Sequence, residues 1–242
     1  MGEVWIGTSG WHYKHWKGNF YPPLLPASGM LAYYIQHFDT IELNNTFYKL
    51  PAKTSLSAWR AATPPHFHFA VKGSRFLTHM KKLNNAEDGL KRFLDAVDVL
   101  GPKLGCILFQ LPPNWEIHLD RLAVFLELLP RDRRWVFEFR NPTWDTIQTY
   151  DLLAKHNAGY CIFDLNGYLS PIQVTADFAY IRLHGPGGKY QGCYSDAALA
   201  AWAKKIDAWR KKLSAVYVYF DNDDSGYAPR NALRLKTLLP SA

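Results

Sequence analysis

The stretch VFEFRNPTW, residues 136–144, sets Glu138 and Arg140 two positions apart among apolar neighbours. In a strand, side chains two apart project from the same face. Phe137 and Phe139 take the opposite face. Charges inside a protein are costly unless paired or used. The fold must therefore cover one face of this strand with apolar packing and find a purpose for the other.

Working outward, seven further runs have the same character: VWIGTSGW (4–11), TIELNNTFY (40–48), HFHFAVKGS (66–74), LGCILFQLP (104–112), GYCIFDL (159–165), FAYIRLHG (178–185) and VYVYFDND (216–223). They are rich in β-branched or aromatic residues and bounded by Gly, Pro, Asn or Asp. Helical patterns lie between most of them. Residues 85–101 carry apolar positions at 90, 93, 94, 97 and 100 and end on a glycine. Residues 119–130, 145–159, 196–213 and 228–239 also read as amphipathic helices. Residues 166–177 show no helix, so an irregular connection is expected between the sixth and seventh strands. Eight strands alternating with helices predict an α/β fold, a single TIM-type (β/α)8 barrel over residues 1–242. An open doubly wound sheet is the alternative.

The chain has 242 residues, 48% of them apolar and 20% charged, enough for a sizeable core and unlike a disordered protein. The nine tryptophans and the net charge of +7 are compatible with phosphate-bearing partners but do not establish them. Cys106, Cys161 and Cys193 are too few and too scattered for a disulfide framework or a zinc knuckle. No run has the regions of a signal peptide, and none approaches the ~20 apolar residues of a membrane span. A cytoplasmic protein with no membrane partner is expected. Nothing in the sequence sets its oligomeric state.

Active sites of such barrels sit at the C-terminal ends of the strands. The polar residues near those ends are Ser9, Glu42 with Asn44, Lys72, Gln110, Glu138 with Arg140, Asp164, Arg182 with His184, and Asn222. Alternation puts Ile41, Leu43, Phe137, Phe139, Ile181 and Leu183 on the opposite face, toward the helices. A polar ring in the barrel mouth is the expectation. The bland alternative is a self-satisfied ion-pair network that merely plugs the barrel.

Seven motifs carry a resemblance along nearly the whole chain: GTSGWHYKHWKGNFYP, IELNNTFYKLP, FHFAVKGSRFLTH, LFQLPPNW, FEFRNPTW, YIRLHG and VYVYFDNDDSGYAPRNA. By these the sequence resembles the YecE-like family of uncharacterised proteins, domain of unknown function seventy-two. The resemblance implies a TIM-type barrel. It implies no settled activity, so it carries over no catalytic residue.

The residues themselves favour anion binding. Lys72, Arg140 and Arg182 can converge on a phosphate or carboxylate. Gly187 and Gly188 lie in the loop after strand seven, a usual phosphate-binding place in these barrels. Glu42, Glu138, Asp164 and His184 are the candidate acid–base groups. Asn44, Gln110 and Asn222 are candidate ligand contacts. Trp11, Tyr13 and Trp16, interleaved with basic residues, form a candidate aromatic lid that would stack on a ligand such as a nucleic-acid base. The expected partner is thus an anionic small molecule or nucleic acid, and the expected activity a hydrolase or phosphodiester-processing enzyme. No cofactor is expected. A divalent metal held by Glu138, Asp164 and His184, serving a sugar isomerase or lyase, is one rival, disfavoured by the fixed cations beside it. A non-catalytic nucleic-acid-binding module is the other.

Overall fold

The computed structural model describes residues 1–240. Eight parallel strands form the barrel: β1 (Glu3–Thr8), β2 (Thr40–Leu43), β3 (His68–Lys72), β4 (Leu104–Gln110), β5 (Arg134–Glu138), β6 (Gly159–Leu165), β8 (Phe178–Leu183) and β9 (Ala215–Phe220). The ninth, β7 (Tyr168–Leu169), folds back antiparallel onto β6. Neighbours run β1-β9-β8-β6-β5-β4-β3-β2. The circle closes between β1 and β2 through one bridge, Ser9 to Glu42. Gly7 permits the approach, since a Cβ there would lie 2.4 Å from the Thr40 carbonyl oxygen.

Helices α1 (Met30–Tyr34), α2 (Asn45–Tyr48), α3 (Lys53–Ala62), α4 (Glu87–Val97), α5 (Leu119–Glu127), α6 (Ile147–Lys155), α7 (Asp196–Arg210) and α8 (Tyr227–Leu238) lie between or after the strands. Two are capped as their sequences allow: the Thr146 hydroxyl accepts from the Thr149 N–H, and that of Ser195 from the Ala198 N–H. No helix bridges β6 and β8. Residues 166–177 instead form the β7 hairpin and an extended segment, as the missing helical period predicts.

Strand alternation divides the core in two. Ile41, Leu43, Phe137, Phe139, Ile181 and Leu183 face outward and pack with the helices. Cys106, Leu108, Val136, Tyr180, Tyr217 and Tyr219 fill the barrel interior. In the opening motif, Phe139 stacks on Trp144, with ring centroids 4.8 Å apart, and Trp144 donates its indole N–H to the Trp115 carbonyl. The apolar half of the stretch therefore anchors the strand from outside. Its charged half points inward.

Candidate functional site

Above the tyrosine layer, the barrel interior turns ionic. Arg182 is fully buried and held by three carboxylates. Its Nε donates to Glu42 Oε1 at 2.9 Å and its Nη2 to Glu42 Oε2 at 2.8 Å. Its Nη1 donates to Glu138 Oε2 at 2.8 Å, and Nη2 reaches Asp221 Oδ2 at 3.2 Å. Glu42 also accepts from Ser9 Oγ at 2.6 Å and from the Tyr180 hydroxyl at 2.7 Å. Arg140 donates to the second oxygen of Glu138. Period-two spacing produces this: Glu138 and Arg140, and likewise Arg182 and His184, share the inner face.

His184 is fully buried. Its Nε2 faces Arg140 Nη2 at 3.2 Å and Arg182 Nη1 at 3.4 Å. Guanidinium nitrogens only donate, so Nε2 accepts and the ring proton sits on Nδ1. Nδ1 lies 2.9 Å from Asp221 Oδ2, at an angle poor for a hydrogen bond. Burial first, and Arg182 second, push His184 below the usual histidine range. It is a neutral ring shut between two arginines.

Burial works against the charge of Glu138, but Arg140 and Arg182 outweigh it and hold the carboxyl well below the usual carboxylate range. Asp221 is lowered in the same way, burial being outweighed by His184 and Arg182. Lys72 shifts in the useful direction. Burial, reinforced by the Arg182 charge, lowers its amine to about 8. Lys72 makes no ion pair among the described residues; its Nζ lies 4.6 Å from the centroid of the Phe47 ring. Gln110 is paired with Glu138 in the β4–β5 register, and its amide donates to the Leu111 carbonyl at 3.3 Å.

Glu42, Lys72, Glu138, Arg140, Arg182 and His184 therefore meet as their alternation predicts, while Gln110 shares the inner face of β4 and turns to its own backbone. Others do not. Asp164 lies on the outer face of β6, where it accepts from the Tyr194 hydroxyl at 2.9 Å. It shares parity with Ile162, whereas Cys161 and Phe163 point inward. Asn222 also faces out, donating to the Gly192 carbonyl and to Asn231. The inward residue of that strand end is Asp221, in parity with Tyr217 and Tyr219, a position that polarity near the strand end does not single out. Gly187 and Gly188 belong to an exposed tight turn bridged from Gly188 to Gln191. The residue of that loop reaching the cluster is Tyr190, whose ring centroid lies 5.6 Å from that of His184.

The aromatic lid also differs from the stacking surface expected of it. Trp16 is fully buried and donates its indole N–H to the Asp223 carbonyl at 3.1 Å, so it packs the lid and offers no stacking face. Tyr13 donates to the Ser9 carbonyl at 2.7 Å, on the rim between cluster and lid. Trp11 and Asn44 line an adjoining pocket of about 630 Å³, together with Ser9, Tyr13, Leu31 and Trp59. The Asn44 Oδ1 is buried there without a hydrogen-bond partner. Among the described residues, no group of three or more His, Cys, Asp and Glu is placed to hold a metal ion. Arg182 occupies the centre of the carboxylates that a metal would need.

Residues 5–242 match the family model described as protein of unknown function DUF72. The chain belongs to the DUF72 family. This DUF72 chain is 25% identical over 269 residues to the UPF0759 protein YunF of Bacillus subtilis, covering 98% of this chain and 94% of that protein. It is 29% identical over 140 residues to the UPF0759 protein YecE of Escherichia coli K12, covering 57% of this chain and 49% of that protein. Its structure is similar to that of a DUF72 family protein from Thermotoga maritima, with a TM-score of 0.89, 29% identity, and 97% and 98% of the two chains covered. A DUF72 family protein from Enterococcus faecalis shares the fold at a TM-score of 0.85 and 19% identity, over 99% and 96% of the chains.

Proposed function

We propose that the mouth of the barrel binds a small anionic ligand, its phosphate or carboxylate held by Lys72 and the outer edge of Arg140. One observation carries this reading. Arg182 is consumed by three carboxylates, whereas Lys72 stands half-buried in the same mouth with no anionic partner among the described residues. An unpaired cation in a partly desolvated site is poised for an anion. The apolar pocket that shares Ser9 and Tyr13 with the rim of the mouth would seat the ligand's body.

Hydrolysis or phosphodiester processing, the class expected from the sequence, needs a base. Glu138 and Asp221 are held ionised by their partners and His184 is enclosed, so Lys72 is the group able to take a proton near neutral pH. The array supports proton transfer beside a bound anion; nothing in it singles out water as nucleophile. The metal-dependent isomerase reading lacks a ligand set among the described residues. The nucleic-acid reading loses Trp16 as a stacking surface.

The test is thermal unfolding with and without inorganic phosphate. A ligand confined to the native state adds about 2.7 kcal/mol at a hundredfold excess over its Kd. Phosphate should raise Tm in the wild type and leave the Arg140→Met variant unmoved. A full response from that variant would place the anion elsewhere.

A further inference from the structure

Lys72 is the last residue of β3, a strand hydrogen-bonded between β2 and β4. Its carbonyl accepts from Thr46 Oγ1 at 2.6 Å, which fixes the backbone that delivers the amine. On one side stands the Phe47 ring, in edge contact with His79 at 5.0 Å between centroids. On the other stands the Glu42–Glu138–Asp221–Arg182 cluster. An amine on a rigid element, beside fixed cations and lacking a carboxylate partner, has the surroundings of a nucleophilic lysine.

We infer that Lys72 is a nucleophile that forms an imine with the carbonyl carbon of an anionic oxo compound. The inference rests on the anion-binding reading, with Arg140 holding the ligand's charge while the Lys72 amine is released to react, and adds a covalent step. The lone pair of the free amine attacks the carbonyl carbon and a C–N bond forms. The carbonyl π pair moves to oxygen, which takes up a proton, giving a carbinolamine. The C–O bond then breaks, and oxygen leaves as water carrying the two protons lost by nitrogen. The ammonium and the carbonyl thus become one iminium and one water, with no oxidant or reductant consumed.

The lowered pKa of about 8 supports this step. Near neutral pH it leaves roughly a tenth of the amine unprotonated, against less than one part in a thousand for an ordinary lysine. Burial and Arg182 cause the shift, and both belong to the folded site. His79 is lowered to about 4, by burial and then by Lys72 itself, so it stays neutral and leaves the amine as the titrating group of this corner.

The experiment uses the whole protein and pyridoxal 5′-phosphate, an aldehyde bearing a phosphate. The mixture is reduced with borohydride, which fixes an imine as a secondary amine, and labelled peptides are identified by mass spectrometry. Lys72 should be labelled on the order of tenfold or more faster than the other lysines near neutral pH, as its larger free-amine fraction implies. Its labelling should rise with a midpoint near its own pKa. Lys72→Arg should lose the label while circular dichroism confirms its fold. If Lys72→Arg does not fold, competition by excess phosphate in the wild type gives the same information, since it should protect Lys72 alone. Labelling spread over surface lysines, with Lys72 no faster than they are, would overturn the inference. If phosphate raises Tm while Lys72 stays unlabelled, the imine is wrong and the anion site stands. If Lys72 reacts selectively even with unphosphorylated pyridoxal while phosphate leaves Tm unmoved, the imine stands and the anion reading fails.

Discussion

Replacing Arg182 with Met keeps an apolar stem in the barrel and removes the guanidinium that joins three carboxylates. The partners left behind are unequal. Glu42 retains Ser9 Oγ and the Tyr180 hydroxyl, Glu138 retains Arg140, and Asp221 retains His184. Breaking a buried pair by removing one partner costs about 3–5 kcal/mol. For a chain of this size that lowers Tm by roughly 6–20 °C. The pH dependence identifies the cause. In the wild type, Glu138, Asp221 and His184 all have folded pKa values below their unfolded ones. Their stabilisation is present above the unfolded values and is lost as pH falls through the folded ones. Without Arg182, burial is opposed less and the carboxyl pKa values rise. Protonation then relieves the variant before it harms the wild type. The deficit, read from denaturant unfolding, should be largest at about pH 7 and narrow toward about pH 5. A deficit under about 1 kcal/mol, or one constant with pH, would refute the view that Arg182 neutralises a buried acidic cluster.

Arg140→Met should destabilise the protein by exposing the buried charge of Glu138, and adding Glu138→Gln should return part of that loss, by about 1–3 kcal/mol, without restoring the phosphate response; a double variant as unstable as the single one contradicts the pairing. Trp16→Ala should cost about 3–5 kcal/mol, the usual cost of a buried aromatic, while leaving single-stranded oligonucleotide binding unchanged in a salt titration; weaker binding at unchanged stability would restore Trp16 as a stacking surface. Gly7→Ala forces a Cβ toward the Thr40 carbonyl at 2.4 Å, so β1 and β2 must part, and circular dichroism melting should show a loss of at least about 1–3 kcal/mol. An unmoved Tm would mean that the barrel tolerates a wider seam.

The barrel was legible because strands such as β2, β5 and β8 contrast sharply across their two faces near their C-terminal ends. Ile41 and Leu43 around Glu42, and Ile181 and Leu183 around Arg182, leave no doubt which side is wet. The same rule placed Glu138, Arg140 and His184. It gave a weaker signal at β6 and β9, where the inner face is itself apolar or aromatic: Cys161 and Phe163 in one, Tyr217 and Tyr219 in the other. There polarity alone picked Asp164 and Asn222, while strict parity would have picked Phe163 and Asp221. The lid could not be resolved by spacing, because nothing in GWHYKHWKGNFYP distinguishes a tryptophan that seals the lid from one that lines a pocket. Nor does local sequence reveal how many partners a charge will find. That Arg182 is saturated and Lys72 is not depends on side chains up to 140 residues apart.

The seam between β1 and β2 has a mechanical meaning. β1 pairs with β9 at six successive positions, whereas among the described residues it meets β2 through the single Ser9–Glu42 bridge. A hoop fastened by one clasp opens at the clasp. Here the clasp is also chemical, since the Ser9 hydroxyl grips the carboxylate that holds Arg182. Local opening is easiest where the fewest backbone bonds must break. Breathing of the barrel is therefore tied to the grip on Arg182, and whatever fills the neighbouring pocket against Ser9 and Tyr13 bears directly on the fastening.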